Sequence, residues 1–533
     1  MQQEIADVLV IGSGAAGAAV TKRLTDFGAK VVCLEQGGWI HPNEYPSSRP
    51  NWEIQLKRGS FNFSPNVRKR WEDYPVRETG ANPPDVLMFN AVGGSTHHWT
   101  GHFPRFHPSD FRVKTLDGVA EDWPISYRDL EPYYDRNDAE MGVSGIAGDP
   151  ANPPRKQRPT PCLPLGTLGE VIARGFDKLG WYWWPSDNAI ISRSFDGRAA
   201  CELHGKCMFG CPIAAKASTD VTYWRKAVRK GAIVRPWSRV REITVDQRGR
   251  ARSAIYYDRE GKVHEQAGRI VVVCCNGIGT PRLLLNSRSS LFPNGLANSS
   301  GMVGRNFMLH PFRFAEGVFE ERIDSYDGPF GIPAFSQQFY ETDSSRGFLR
   351  GYSFLLERSF GPLHQAWGGF SGHPVPWGAD HHKVMRERFP HIVRVTVLGE
   401  DLPEQNNRVE IDPELKDPSG IPSPRVVYGY SENSLKMLEH GGHMARQALE
   451  AAGAKQILDS GVIAPAFHLL GTARMGTDPK TSVVNGWHRA HDVPNLYIVD
   501  GSSFATSAAV NPTSTIGALA LRAADGIWKQ RNG

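Results

Sequence analysis

The turn that opens the chain restricts its fold more than any other segment. Asp7 to Ile11 carries a run of apolar, mostly β-branched residues, and Gly12-Ser13-Gly14-Ala15-Ala16-Gly17 follows at once. Ala15 to Phe27 is rich in helix formers, with apolar residues at Ala16, Val20 and Leu24, and Lys30 to Leu34 supplies a second strand. The unit is βαβ. Its first glycine permits the tight turn, its second lets backbone approach a pyrophosphate, and its third lets helix and strand pack closely. Phosphate charge then sits at a helix N-terminus, with Ala15 in the first turn. Glu35 closes the second strand eighteen residues beyond Gly17, where a carboxylate accepts hydrogen bonds from adenosine ribose hydroxyls and repels a 2′-phosphate. The motif predicts a dinucleotide and does not choose between NAD and FAD.

The remaining composition narrows the partners. A chain of 533 residues is too long for one ordinary core and fits two interleaved domains. Its 61 basic and 56 acidic residues nearly cancel, and the basic clusters at Arg68 to Arg70 and Arg225 to Lys230 lack interleaved aromatics, so no nucleic-acid partner is expected. No apolar stretch reaches the roughly 20 residues that span a bilayer, so membrane insertion is not expected. Met1 leads through four polar or small residues into the first strand, which leaves no room for a leader and sets a cytoplasmic location as the expectation. Seven cysteines, an odd count, then read as reduced thiols rather than a disulfide framework.

Three later segments choose the cofactor. Asn90-Ala91-Val92-Gly93-Gly94-Ser95-Thr96-His97-His98-Trp99 is a small-residue stretch where backbone must run close to a ligand. Arg269 to Cys275 reads as a buried strand that opens a helix at Asn276, and Gly304 to Pro311 follows, with His310 reading as structural. The C-terminal part holds His468 to Gly476, then Asn495 to Gly501, then Asn511-Pro512-Thr513-Ser514. Together with the opening unit these blocks resemble the glucose-methanol-choline (GMC) family of flavin oxidoreductases, at both ends of the chain and in the family's order. The resemblance implies FAD, with Gly93, Gly94 and Ser95 beside the flavin and pyrophosphate. It also implies that Asp500 and Gly501 meet the ribityl or pyrophosphate region. The helix entered through Pro512 and Thr513 is implied to aim its positive end at the flavin, where it would stabilise an anionic reduced ring.

Oxidising an alcohol needs a base for the hydroxyl proton and a donor for the developing alkoxide. His468 stands in the family position of the base, and an imidazole is suited to accept a proton near neutral pH. Asn511, 43 residues on, occupies the second family position, where an amide can donate but cannot act as a base. The alternatives are a buried structural histidine for His468 and a turn former for Asn511. The Thr96-His97-His98-Trp99 string resembles pyranose oxidases, in which a histidine before tryptophan can carry the flavin covalently; His98 is the matching residue, and both covalent and noncovalent contact stay open. Cys201, Cys207, Cys211 and Pro212 resemble the cluster-binding segment of certain sugar dehydrogenases, yet free thiols also pack as small apolar groups. The expectation is no metal.

The fold predicted is α/β plus β: a Rossmann-like FAD-binding domain from residues 1–45, 80–145, 200–314 and 455–533, interleaved with a substrate domain. That second domain takes residues 46–79, 146–199 and 315–454, is built on an antiparallel sheet, and shows short strands such as Ile392 to Gly399. The stretch Phe360 to His382 reads either as a loop over the pocket or as an ordinary surface loop. The resemblance implies oxidation of a secondary hydroxyl of a pyranose or glycoside, enzymes acting at the 3-hydroxyl among them, with oxygen or another electron acceptor. Its rivals are a non-sugar alcohol substrate, a lyase that keeps FAD for structure, and a non-catalytic flavin subunit. The oligomeric state is not legible.

Overall fold

The computed structural model describes residues 5–57, 59, 61–328 and 331–531. The chain begins with β1 (Ala6–Ile11), α1 (Ala15–Asp26) and β2 (Val31–Leu34), two parallel strands joined by a helix as the pattern predicts. The sheet continues through β3 (Ile233–Arg235), β4 (Arg239–Val245), β5 (Ala251–Tyr257) and β6 (Val263–Val273), in the order β3-β2-β1-β6-β5-β4. β6 serves two neighbourhoods. Its first half pairs antiparallel with β5, and its second half pairs parallel with β1, where Ile11 lies opposite Val273. α2 (Asn276–Asn286) follows directly and contains Pro281. Proline has no N–H for the carbonyl four residues back, and the Thr472 hydroxyl donates to that Gly277 oxygen instead at 2.7 Å.

The chain then leaves for a second sheet, built from β7 (Phe312–Val318), β8 (Ala334–Phe339), β9 (Tyr352–Glu357) and β10 (Ile392–Gly399). After the long helix α3 (Glu432–Ala452), β11 (Gln456–Ile463) joins its edge. The order is β11-β7-β10-β9-β8, all antiparallel, with Trp184–Pro185 on the far edge. Side chains alternate across it. Phe354, Leu356, Val393, Val395 and Val397 face α3 and the helix Gly166–Leu179, whereas Phe312, Phe314, Leu355 and Leu398 form an apolar layer on the other face. The chain finally returns through β12 (Leu496–Ile498), parallel to the end of β6, and closes with α4 (Thr513–Gln530) against α1. This is the mixed fold expected, a dinucleotide-binding sheet under an antiparallel roof. Among the described residues no helix is long and apolar enough to cross a membrane.

Candidate active site

The strand register decides where a ligand can sit. Ile11, Leu34, Val273 and Ile498 are level with one another, so the residues that follow them gather at one edge of the sheet. Ligands in open α/β sheets bind outside the carboxyl ends of the strands. A cavity of about 330 Å³ lies there, lined by Gly12, Gly14, Ala15, Glu35, Asp500 and Gly501, and it runs up to the roof. The three glycines have different surroundings. Gly12 has φ +95°, and a Cβ there would stand 2.4 Å from the Cys274 carbonyl oxygen. A Cβ on Gly17 would stand 2.0 Å from the Gly12 oxygen, so that glycine serves packing. A Cβ on Gly14 would meet nothing within 4 Å, which leaves open space in front of the helix start. Glu35 is buried; it accepts from the Ser13 N–H at 2.9 Å, the Ser13 hydroxyl at 2.7 Å and the Gly37 N–H at 2.8 Å. Burial raises its carboxyl pKa, and those bonds oppose the rise.

The segment around Gly93 forms the next wall. Gly94, Ser95 and His98 line the cavity, while Gly93 ties the segment to the opening turn by donating to the Ser13 oxygen at 3.2 Å. The two histidines separate cleanly. His97 spends both ring nitrogens inside the protein, on the Val92 oxygen at 2.8 Å and the Tyr45 hydroxyl at 2.9 Å. His98 donates through Nδ1 to the Met208 oxygen at 2.9 Å, which leaves Nε2 as a bare, buried nitrogen without a protein partner. Lys216, which sequence reading did not single out, holds this segment from behind: its buried Nζ donates to the carbonyls of Thr96, His97 and Trp99 at 3.1, 2.7 and 3.4 Å. Burial brings its pKa down to about 8.

From the other side come the C-terminal residues. Asp500 is buried and accepts from the Asn276 N–H, the Thr280 hydroxyl and the Ser502 N–H at 3.1, 2.6 and 2.8 Å, joining α2 to the strand end. Pro512 and Thr513 line the cavity at the start of α4, and no side chain caps that helix or α1. Mutual backbone bonds between Met308 and Leu470, at 3.0 and 3.1 Å, make an antiparallel bridge. Two residues along each strand, that bridge sets His310 opposite His468, and their Nδ1 atoms meet at 2.9 Å. Burial, with His310 and His102 adding to it, takes the His468 imidazole well below its ordinary pKa. Asn511 Nδ2 lies 3.4 Å from His468 Nε2, and Asn511 Oδ1 lies 2.8 Å from His102 Nδ1. His468, Asn511 and His102 all line the cavity.

The roof contributes a polar pair within its apolar layer. Glu357 and Arg394 are cross-strand neighbours joined by an ion pair of 2.6 Å, and both line the cavity. Arg394 lies 3.4 Å from the Phe370 ring centroid, and its Nε and Nη1 are buried without hydrogen-bond partners. The stretch from Phe360 divides between the two readings of it: Phe370 reaches the cavity, while Trp377 is 82% exposed. Glu316 fixes the inner part by accepting from the Ser371 N–H at 3.2 Å and the Ser371 hydroxyl at 2.5 Å. Cys201, Cys207 and Cys211 are free thiols, and burial pushes the Cys201 thiol up to about 12. Among the described residues no group of three His, Cys, Asp or Glu is arranged to hold a metal ion.

Fold and site thus fit a dinucleotide-dependent oxidoreductase, with a histidine and an amide paired on the wall of its cavity. Residues 6–312 match the N-terminal family model described as GMC oxidoreductase, and residues 403–520 match the C-terminal one. The chain belongs to that FAD-binding family, whose members oxidise CH–OH donors. It is 47% identical over 532 residues to 2-methyl-1,2-propanediol dehydrogenase of Mycolicibacterium austroafricanum, covering 98% of this chain and 95% of that one. It is 31% identical to the fructose dehydrogenase large subunit of Gluconobacter japonicus, over 98% and 97%, and 28% identical to paromamine 6'-oxidase of Streptomyces fradiae, over 98% and 91%. Among solved structures, pyridoxine 4-oxidase from Mesorbium loti has the same fold, with a TM-score of 0.65 at 18% identity, covering 98% and 99%. The residues present fit FAD: open space before Gly14, the buried acid Glu35 on the wall, two uncapped helix starts and an unpartnered His98 nitrogen along one cavity.

Proposed function

We propose that the protein oxidises a secondary hydroxyl of a pyranose or glycoside to the corresponding ketone. The observation that carries the chemistry is the pairing of His468 Nε2 with Asn511 Nδ2, 3.4 Å apart on the wall of the cavity, where one hydroxyl oxygen can face both. His468 Nε2 takes the hydroxyl proton, and Asn511 Nδ2 donates to the oxygen as negative charge grows on it. Gly12, Gly14, Ala15, Gly17, Glu35, Gly93, Gly94, Ser95, His98, Asp500, Gly501, Pro512 and Thr513 would hold FAD, which would supply the hydride acceptor. Burial keeps His468 unprotonated at neutral pH, so the base is ready before substrate arrives. His310 holds the imidazole by its other nitrogen and fixes which face it turns to the cavity.

The sugar assignment draws support from the roof. An ion pair with unused donors, set among Phe312, Phe314 and Phe370, offers an acceptor and donors for hydroxyls beside apolar faces for ring C–H groups. A second reading has its own support. The relative at 47% identity is named for a small diol, and a small branched diol would use the same pair and leave the roof to apolar contact. The experiment is anaerobic mixing of the holoenzyme with pyranoses, their glycosides, 1,2-diols and aliphatic alcohols while the flavin absorbance is followed. The proposal expects bleaching by sugars or glycosides at lower concentration than by diols. Bleaching by diols alone would move the substrate class to the second reading. Repeating the positive case with oxygen and with a quinone separates oxidase from dehydrogenase.

A further inference from the structure

The hydrogen bonds around Asn511 all run in one direction, and that direction decides what the amide offers a substrate. The Ala508 carbonyl can only accept, so His310 donates to it through Nε2 at 2.9 Å and keeps a bare Nδ1. His468 therefore donates through its own Nδ1, at 2.9 Å, and its Nε2 is bare in turn. Asn511 turns Nδ2 toward that nitrogen at 3.4 Å, which sends Oδ1 the other way. There it meets His102 Nδ1 at 2.8 Å. An amide oxygen only accepts, so His102 carries its proton on Nδ1.

Two contacts orient the amide, and the one to His102, at 2.8 Å, is shorter than the one to His468, at 3.4 Å. The amide's two ends have nearly the same shape, and a half-turn would bring Oδ1 against the bare His468 Nε2, lone pair to lone pair, with no donor left for an alkoxide. The His102 N–H opposes that half-turn, because the rotated amide would point its own N–H at it. His102 is 1% exposed, and its Nε2 has no hydrogen-bond partner. The bond to Asn511 is thus the one side-chain hydrogen bond found for this imidazole among the described residues. The Phe335 ring, with its centroid 5.7 Å away, packs against it from the roof.

We propose that His102 is a positioning residue for the oxidation, one that holds the Asn511 amide with its N–H toward the reacting hydroxyl. The inference rests on the roles given above to His468 and Asn511. Two variants test it in the holoenzyme: His102→Leu removes the donor, and His102→Asn restores one at nearly the position of Nδ1. With an alcohol that bleaches the wild type, His102→Leu is expected to slow flavin reduction at saturating substrate by about a hundredfold, the scale of a small misplacement at the reacting centre. Its substrate affinity should stay within roughly threefold, because the loss falls on the chemical step. FAD content and melting temperature should not change, and His102→Asn should recover at least about a tenth of the wild-type rate.

The second readout needs no turnover. In holoenzyme labelled with ¹⁵N-histidine, long-range ¹H–¹⁵N spectra should show His102 protonated at Nδ1, and Asn511→Leu should remove that preference. Wild-type speed in His102→Leu, equal loss in the leucine and asparagine variants, or a proton on Nε2 of His102 would each overturn the proposal. A wild-type flavin that no alcohol bleaches would instead overturn the functional reading, and the tautomer spectrum would still decide whether His102 orients Asn511.

Discussion

His468 and His310 meet through their Nδ1 atoms at 2.9 Å with ring planes 88° apart, so one imidazole edge is spent on the other. Two identical atoms can share a hydrogen bond only if one carries the proton and the other does not. The Ala508 carbonyl, which His310 must satisfy, settles the choice and leaves His468 Nε2 unprotonated toward the cavity. Burial disfavours the imidazolium, so that nitrogen stays without a proton near neutral pH.

A pH profile follows from the burial. His468 lies well below its ordinary range because burial disfavours the cation, with His310 and His102 adding to the effect. The base is competent when unprotonated, so activity should be lost only as pH falls through this lowered value. The rate of anaerobic flavin reduction is expected to stay flat from about pH 8 down to below 6.5, the ordinary histidine pKa. A half-maximal point at or above 6.5 would contradict the assignment of His468 as a desolvated base.

The glycines of the opening turn separate binding from folding. Gly14 has φ −66° and open space where a side chain would go, so Gly14→Val should fold with a melting temperature within about 1 °C of the wild-type apoprotein, yet purify without yellow colour. Gly17→Ala drives a methyl to 2.0 Å from the Gly12 oxygen and should lower the melting temperature of the apoprotein itself, by an overpacking cost of about 1–3 kcal/mol. Thermal unfolding of both apoproteins beside their flavin content checks the pair.

Asp401 sets a pH dependence of stability. It is buried, and that burial raises its carboxyl to about 7, although Tyr428, the Leu309 N–H and Ser434 donate to it. Between its ordinary value of 3.8 and about 7 the folded state holds a proton that the unfolded chain has lost. Stability from this group is therefore full at the acid end of that window and falls as pH rises through it. In Asp401→Asn the amide oxygen can accept from Tyr428 and Leu309, and the amide N–H can donate to the Ser434 hydroxyl, which also accepts. The variant should gain on the wild type by about 2 kcal/mol or more between pH 5 and pH 8, read by denaturant unfolding at the two pH values.

What could be read in advance follows the range of the contacts. The β1-α1-β2 unit is local, and its strand, turn, helix and acid appear within the first 35 residues. The motif blocks gave His468, Asn511 and His98 as positions, because each carries its own neighbours as context. His102 could not be found that way, since its partner Asn511 lies 409 residues along the chain and a lone histidine after glycine has no local signature. The roof pair left a faint trace. Arg394 and Thr396 break the apolar run of Ile392–Gly399 at every second residue, which marks one face of a strand, but only the register with Glu357 explains why both are buried. Lys216 was hidden for the same reason, as a buried cation solvated by three carbonyls from a distant loop.

The most direct test of the account is a comparison of His468→Ala with the wild type, both loaded with FAD and mixed anaerobically with the alcohol that bleaches the wild type fastest. The account predicts equal flavin content and a reduction rate lower by roughly 10² to 10⁴ in the variant, the span of general-base catalysis. Reduction at close to the wild-type rate, with FAD bound and the fold intact, would contradict it.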